Sequence, residues 1–149
     1  MEFGGYLKQI GHSLTNAQDK ALVGLIYSGI LGQDYSQIIN LQVADIDFSN
    51  HMARVANPDG DVLTFQIDED TISAIERAVD QKEYLIEGNE GRTFLALKET
   101  TSVIRPTESE VEITKEVIDA RLARIGEAWS IDDFSAYGIF NCGMFDRGI

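Results

Sequence analysis

At 149 residues the chain can hold one domain around a single core, and 44% hydrophobic with 25% charged residues is an ordinary globular composition. A lone cysteine, Cys142, excludes an internal disulfide and a Cys/His zinc site, and no apolar run approaches the about 18 residues of a membrane-spanning helix. The net charge of −13, from 25 acids against 12 Lys and Arg, opposes binding that depends on long-range attraction to phosphates. The N-terminus shows no basic-then-apolar export signal, so a reducing cytoplasm is the expected compartment.

Along the chain, turn residues Gly4-Gly5 and Gly11 precede Ser13 to Asn16, which offers helix caps. Ala21, Leu22, Leu25 and Ile26 keep helical spacing from Ala17 to about Ser28, and the Gly29 to Gly32 segment ends that helix. Asp34 opens a second, short helix, with Gln37 as its capping-box partner and Ile38, Ile39 and Leu41 behind it for burial. His51 to Ala56 and Val62 to Ile67 read as a hairpin, with Val55, Val62 and Phe65 among its apolar positions. Its turn, Asn57-Pro58-Asp59-Gly60, combines a preset φ at Pro with φ > 0 at Gly. Asp68 caps a helix of about fifteen residues that turns Ile72, Ile75 and Val79 inward and Glu76, Arg77 and Asp80 toward water. A turn at Glu87 to Gly91, a short buried strand at Thr93 to Leu97 and a polar connection at Lys98 to Glu112 follow. Thr114 caps a helix that buries Val117, Ile118, Leu122 and Ile125. Phe134 to Phe145 is apolar, aromatic and helical despite Gly138 and Gly143, each costing about 1 kcal/mol against Ala. The expected fold is α+β, mainly helical, with a small antiparallel sheet made of the hairpin and a short third strand.

Few residues carry chemistry. His12 and His51 are isolated, and each reads as a surface or loop residue. Asp45, Asp47, Asp59 and Asp61 form acidic pairs without further ligands at a recognisable spacing, so turn chemistry is expected rather than a metal site, and no cofactor is implied. Arg121 and Arg124, on one predicted helix, are the nearest thing to a basic patch: either DNA contacts or a solvated face. Phe134, Tyr137, Phe140 and Phe145 fit one packed helix face, and any part of it left uncovered is a candidate partner patch.

Ala21 to Asp47, ALVGLIYSGILGQDYSQIINLQVADID, resembles the first conserved box of the tyrosine recombinases, the phage integrases and their relatives. That box reads as an apolar helix, Thr-Gly-Leu-Arg, Ile-Ser-Glu, an apolar pair, Asn-Leu and Asp-Ile-Asp. The hairpin followed by Asp68-Glu69-Asp70 and a helix, and Ile113 to Gly148, extend the resemblance in the family's order over nearly the whole chain. It implies the family's mainly helical catalytic domain, spanning residues 1–149 without the N-terminal core-binding arm and ending before the tyrosine segment.

Family chemistry is phosphoryl transfer to a tyrosine, with two arginines and a His or Lys set neutralising the reacting phosphate. Aligned residue by residue, the first Arg falls on Asp34 and the Glu on Gln37. The hairpin Lys has no counterpart, since there is no Lys between Lys20 and Lys82. The His-x-x-Arg pair falls on Phe134 and Tyr137 or, one register on, on Tyr137 and Phe140, and Ile131 to Phe145 contains no basic residue. A carboxylate in place of the Arg repels a phosphate oxygen about 4 Å away by roughly 1 kcal/mol in water and about 4 kcal/mol when partly buried. Catalysis is therefore expected to be absent, and Tyr137 reads as a packed aromatic rather than a relocated nucleophile. At Asp34 a structural role as helix cap is expected. The resemblance implies a non-catalytic phage or prophage protein, like the family's repressors, with a DNA-binding or regulatory role. The alternative is an acidic module that binds or antagonises a recombinase or repressor, or associates with itself, without binding DNA.

Overall fold

The computed structural model describes residues 16–57, 59–88 and 91–148. Helix α1, Ala17–Tyr27, is the central element, with Ala21, Leu22, Leu25 and Ile26 wholly buried. It packs against α3, Glu69–Asp80, and α5, Ala136–Asp146. Two glycines permit this. A Cβ at Gly24 would lie 2.3 Å from the Thr71 hydroxyl of α3, and one at Gly143 would lie 1.9 Å from the Tyr27 carbonyl oxygen. Gly29, at φ +108, then turns the chain out of α1.

A 3-10 turn at Gln33–Tyr35 leads into the short α2, Ser36–Asn40. Strands β1, Ile46–Asp47, β2, Met52–Ala56, and β3, Val62–Gln66, form an antiparallel sheet in the order β1-β2-β3. Ala53 and Val55 of β2 face the core, whereas Val62 and Leu63 on the edge strand β3 are exposed. The expected turn forms: Asn57 N–H donates to Asp61 O at 2.7 Å and Gly60 takes φ +94. Asp68 caps α3 by accepting from Thr71 N–H at 2.7 Å. Helix α4, Lys115–Ala128, is capped by Thr114, and α5 by Ser135, each through its side-chain oxygen.

Four expectations need correction. Helix α3 ends at Asp80, because β4, Glu83–Gly88, follows and pairs with β5, Gly91–Ala96, as a separate ribbon. Both backbone groups of Leu85 in β4 are taken by the Asn16 side chain, at 2.8 and 2.9 Å. The third strand of the first sheet is accordingly β1, and the Thr93 to Leu97 region is mostly exposed rather than buried. The inward face of α3 is Ile72, Ala74, Ile75 and Ala78, leaving Val79 exposed, because the close α1–α3 approach favours alanine. Lastly, the polar connection between Lys98 and Glu112 runs through the interior, with Val103, Ile104, Arg105 and Thr107 buried.

Buried cations hold that connection. Arg105 Nη2 donates to Ala78 O at 2.7 Å and to Gln81 O, and Arg105 N–H donates to Gln18 Oε1 at 2.9 Å. Arg121 on α4 is 0% exposed; its Nη2 donates to Arg105 O at 2.8 Å and to Glu110 Oε1 at 2.9 Å. Its Nε and Nη1 find no hydrogen-bond acceptor among the described residues, but its guanidinium carbon lies 4.7 Å from the Tyr84 ring centroid. Replacing Arg121 by Leu leaves the buried Arg105 carbonyl without this donor and Glu110 without its cation, so we expect a loss of about 3 kcal/mol in urea unfolding. A loss below about 1 kcal/mol would reduce the network to the level of a surface pair. Burial pushes Glu110 up, but Thr107 N–H and Arg121 outweigh it and hold the carboxyl below its ordinary value. Its stabilisation is present above the unfolded-state value and is lost as pH falls through the lowered folded one, so Glu110→Gln should flatten the acid limb of the stability curve.

Candidate functional site

The start of α2, the hairpin turn and the first turns of α4 and α5 are linked by side chains, and the first recombinase-box positions fall here. Gly32, Asp34 and Tyr35 all have positive φ, at 77, 54 and 64. Asp34 is exposed and does not cap. The N-cap of α2 is Tyr35, without a side-chain cap bond, because a left-handed backbone lacks the extended geometry an N-cap oxygen needs. Gln37, the expected capping-box partner, instead accepts from Leu31 N–H at 3.2 Å and donates to Asn57 Oδ1 at 3.0 Å, tying α2 to the hairpin turn.

Tyr35 organises the centre of the site. Its ring is buried, its hydroxyl donates to Asp119 Oδ1 of α4 at 2.7 Å, and Lys115 Nζ lies 5.3 Å from its centroid. Burial and the Asp119 carboxylate push the phenol up, so it stays a donor. Tyr137 in the first turn of α5 meets Tyr35 edge to face at 5.8 Å and is 50% exposed. Asp34, Tyr35, Gln37 and Tyr137 are thus brought into one neighbourhood, and Lys115 and Asp119 are members the sequence reasoning missed. Their signal was positional: both lie on one side of the first turn of α4, four residues apart.

Other predicted residues fall elsewhere. Phe134 is 7% exposed, seated against Gly126 in the core, so it belongs to no surface patch. Phe140 is half-buried against the same core, and Phe145 is 81% exposed near the end of α5. The expected aromatic face is therefore split between interior and surface, not one patch. Arg121 is no DNA contact, since it is wholly buried. The sequence held that signal: Ile118, Arg121, Leu122 and Ile125 share the inward face of α4. Arg124 is partly exposed and lies 5.6 Å from the Tyr84 ring. Tyr84, between the two guanidinium groups, donates to the buried Asp19 at 2.7 Å. Burial pushes that carboxyl up, against the pull of Tyr84 and Arg121.

The acidic pairs do turn chemistry. Asp45 accepts from Gln42 N–H at 3.0 Å, Asp47 from Asn50 N–H at 3.1 Å, and Asp59 from Asp61 N–H at 3.1 Å. Among the described residues, no group of three His, Cys, Asp or Glu side chains is placed to hold a metal ion. His51 sits in a turn at φ 55, and His12 lies outside the described residues. No described helix is long and apolar enough to cross a membrane.

This fold, with its site positions, defines a tyrosine recombinase-like catalytic domain. Residues 5–148 match the family described as "MrpR, C-terminal catalytic domain", and the chain belongs to that family. No curated protein gives a significant match. Among solved structures the chain is similar to XerA recombinase, at TM-score 0.69 and 13% identity over 96% of this chain and 49% of that one. It is also similar to the Tn1549 transposon integrase in complex with a circular intermediate DNA, at TM-score 0.58 and 14% identity over 98% of this chain and 52% of that one. The chain thus spans about half the length of each structure.

The left-handed backbone at Asp34 separates a conformational role from a capping one. Asp34→Gly should stay within about 0.5 kcal/mol of the parent, while Asp34→Ser, which keeps a capping oxygen but tolerates that backbone poorly, should lose about 1 kcal/mol. Thermal unfolding measures both, and a neutral serine variant would restore the capping role.

Proposed function

We propose that this domain is a non-catalytic member of the recombinase fold, of phage or prophage origin, that acts in DNA binding or transcription regulation. The observation that carries the first part is the content of the recombinase positions: an exposed carboxylate at Asp34, an amide at Gln37 committed to Asn57, a core aromatic at Phe134 and a phenol at Tyr137 packed on Tyr35. None of these four supplies the positive charge that phosphoryl transfer needs where negative charge builds up. DNA binding is supported by the fold's likeness to an integrase solved with DNA, and the contacts proposed for it are the partly exposed Lys115, which lies over Tyr35, and Arg124.

A second reading, an acidic module that binds a recombinase or repressor without binding DNA, is favoured by the burial of Arg121. Exposed Asp34, Asp59 and Asp61 add to that case. Fluorescence anisotropy with duplex DNA at two salt concentrations tests the choice. Binding that weakens steeply with salt, and whose slope falls by about one in Lys115→Ala, supports the DNA reading. No binding at low salt overturns it in favour of the protein partner. Incubation with a nicked duplex should give no covalent adduct, and an adduct abolished by Tyr137→Phe would overturn the claim of inactivity.

A further inference from the structure

A groove of about 690 Å3, shallow and open to solvent, runs between the start of α1, the outer side of α3 and the β4–β5 ribbon. None of Asp34, Tyr35, Gln37 or Tyr137 lines it. Leu85 and Phe94 are directly opposed in the β4–β5 register, so both project from one face of the ribbon and give the groove an apolar wall. Phe94 is 55% exposed, a large apolar surface for a lone ribbon to leave in water. Among the residues lining the groove, Glu76, Asp80 and Glu83 stand against Arg77.

The groove is preformed. Asn16 holds both backbone groups of Leu85, and the Gln81 side chain accepts from Gln18 N–H at 2.9 Å while donating to Glu83 O at 2.8 Å. A wall fixed this way loses little conformational freedom when covered, which favours binding.

We propose that this groove docks a basic amphipathic segment of a partner protein. Its Lys or Arg side chains meet Glu76, Asp80 and Glu83, and an apolar side chain seats on the exposed Phe94, which Leu85 backs from the interior. Charge complementarity selects the occupant. A polyanion is repelled both by the lining carboxylates and by the chain's −13, and a second copy would bring the same acidic groove and the same net charge. The inference is independent of the recombinase positions, and the DNA titration can fail or succeed without touching it.

The full chain is titrated with a fluorescent helical peptide carrying lysines on one face and leucines with a tryptophan on the other. Control peptides carry either glutamates in place of the lysines or lysines with no apolar residues. Saturable binding of the amphipathic cation is expected, weakened about tenfold by Phe94→Ala and by Asp80→Lys. Both positions are exposed, so both variants should melt like the parent. Amide shifts in NMR should cluster at Ser73, Arg77 and Phe94. No binding, equal binding of the lysine-only peptide, unchanged affinity in both variants, or shifts gathered at Asp34, Asp59 and Asp61 would each overturn the proposal. So would a concentration-dependent dimer abolished by Phe94→Ala, which would make a second copy the occupant.

Discussion

Three polar side chains at the head of α1 fix where the rest of the chain goes. Asn16, Gln18 and Asp19 are all buried, and between them they tie two other segments to α1: Asn16 holds Leu85 and Asp19 holds Tyr84, both of β4, while Gln18 holds Val103 O and Arg105 N–H in the long connection. Tyr84 in turn lies beneath Arg121 and Arg124 of α4. Apolar burial is non-directional and would tolerate a slipped strand or a rotated helix. A buried polar group without its partner costs about 1–3 kcal/mol, so each such bond penalises the slipped alternatives. The seam therefore sets register where the hydrophobic core sets only compactness.

This also explains what the sequence made legible. The period of α1, the periods and caps of α3 and α4 and the Asn57 to Asp61 turn are local signals, and the structure carries them with small shifts of boundary; the Asn16 side chain, by contrast, leaves the start of α1 uncapped and bonds to Leu85. The order of the recombinase blocks was visible for the same reason, since each block is a contiguous run. Strand β4 was hidden, because its six residues run Glu-Tyr-Leu-Ile-Glu-Gly without apolar–polar alternation or a turn signal before them, and its anchor, Asn16, lies sixty-nine positions away. The burial of Arg121, and of Arg105 within the connection read as polar, was not legible because a cation in the interior depends on carbonyls and a carboxylate from other elements. Composition counts such a residue as surface charge. Helical phase did place Arg121 inward, and phase was the better guide.

At the recombinase positions the scaffold and its contents part company. The local backbone is unusual, with left-handed residues at both Asp34 and Tyr35, yet aromatic stacking and the Tyr35–Asp119 bond hold the site together. Where a phosphate-binding site would gather guanidinium groups, two phenols meet and a lysine lies over one of them. Packing within the protein thus supplies cohesion at the site.

The approach of α5 to α1 at Gly143 has a consequence for how such a domain can change. Because a hydrogen atom is all that fits between that helix and the Tyr27 carbonyl, the seat of α5 is decided at a position that takes no part in chemistry. Tyr137, in the first turn of the same helix, is half exposed and lies six residues from that seat. The seat of the helix and the side chains it carries toward the site are therefore separate mutational targets, so that one can vary while the other is inherited intact.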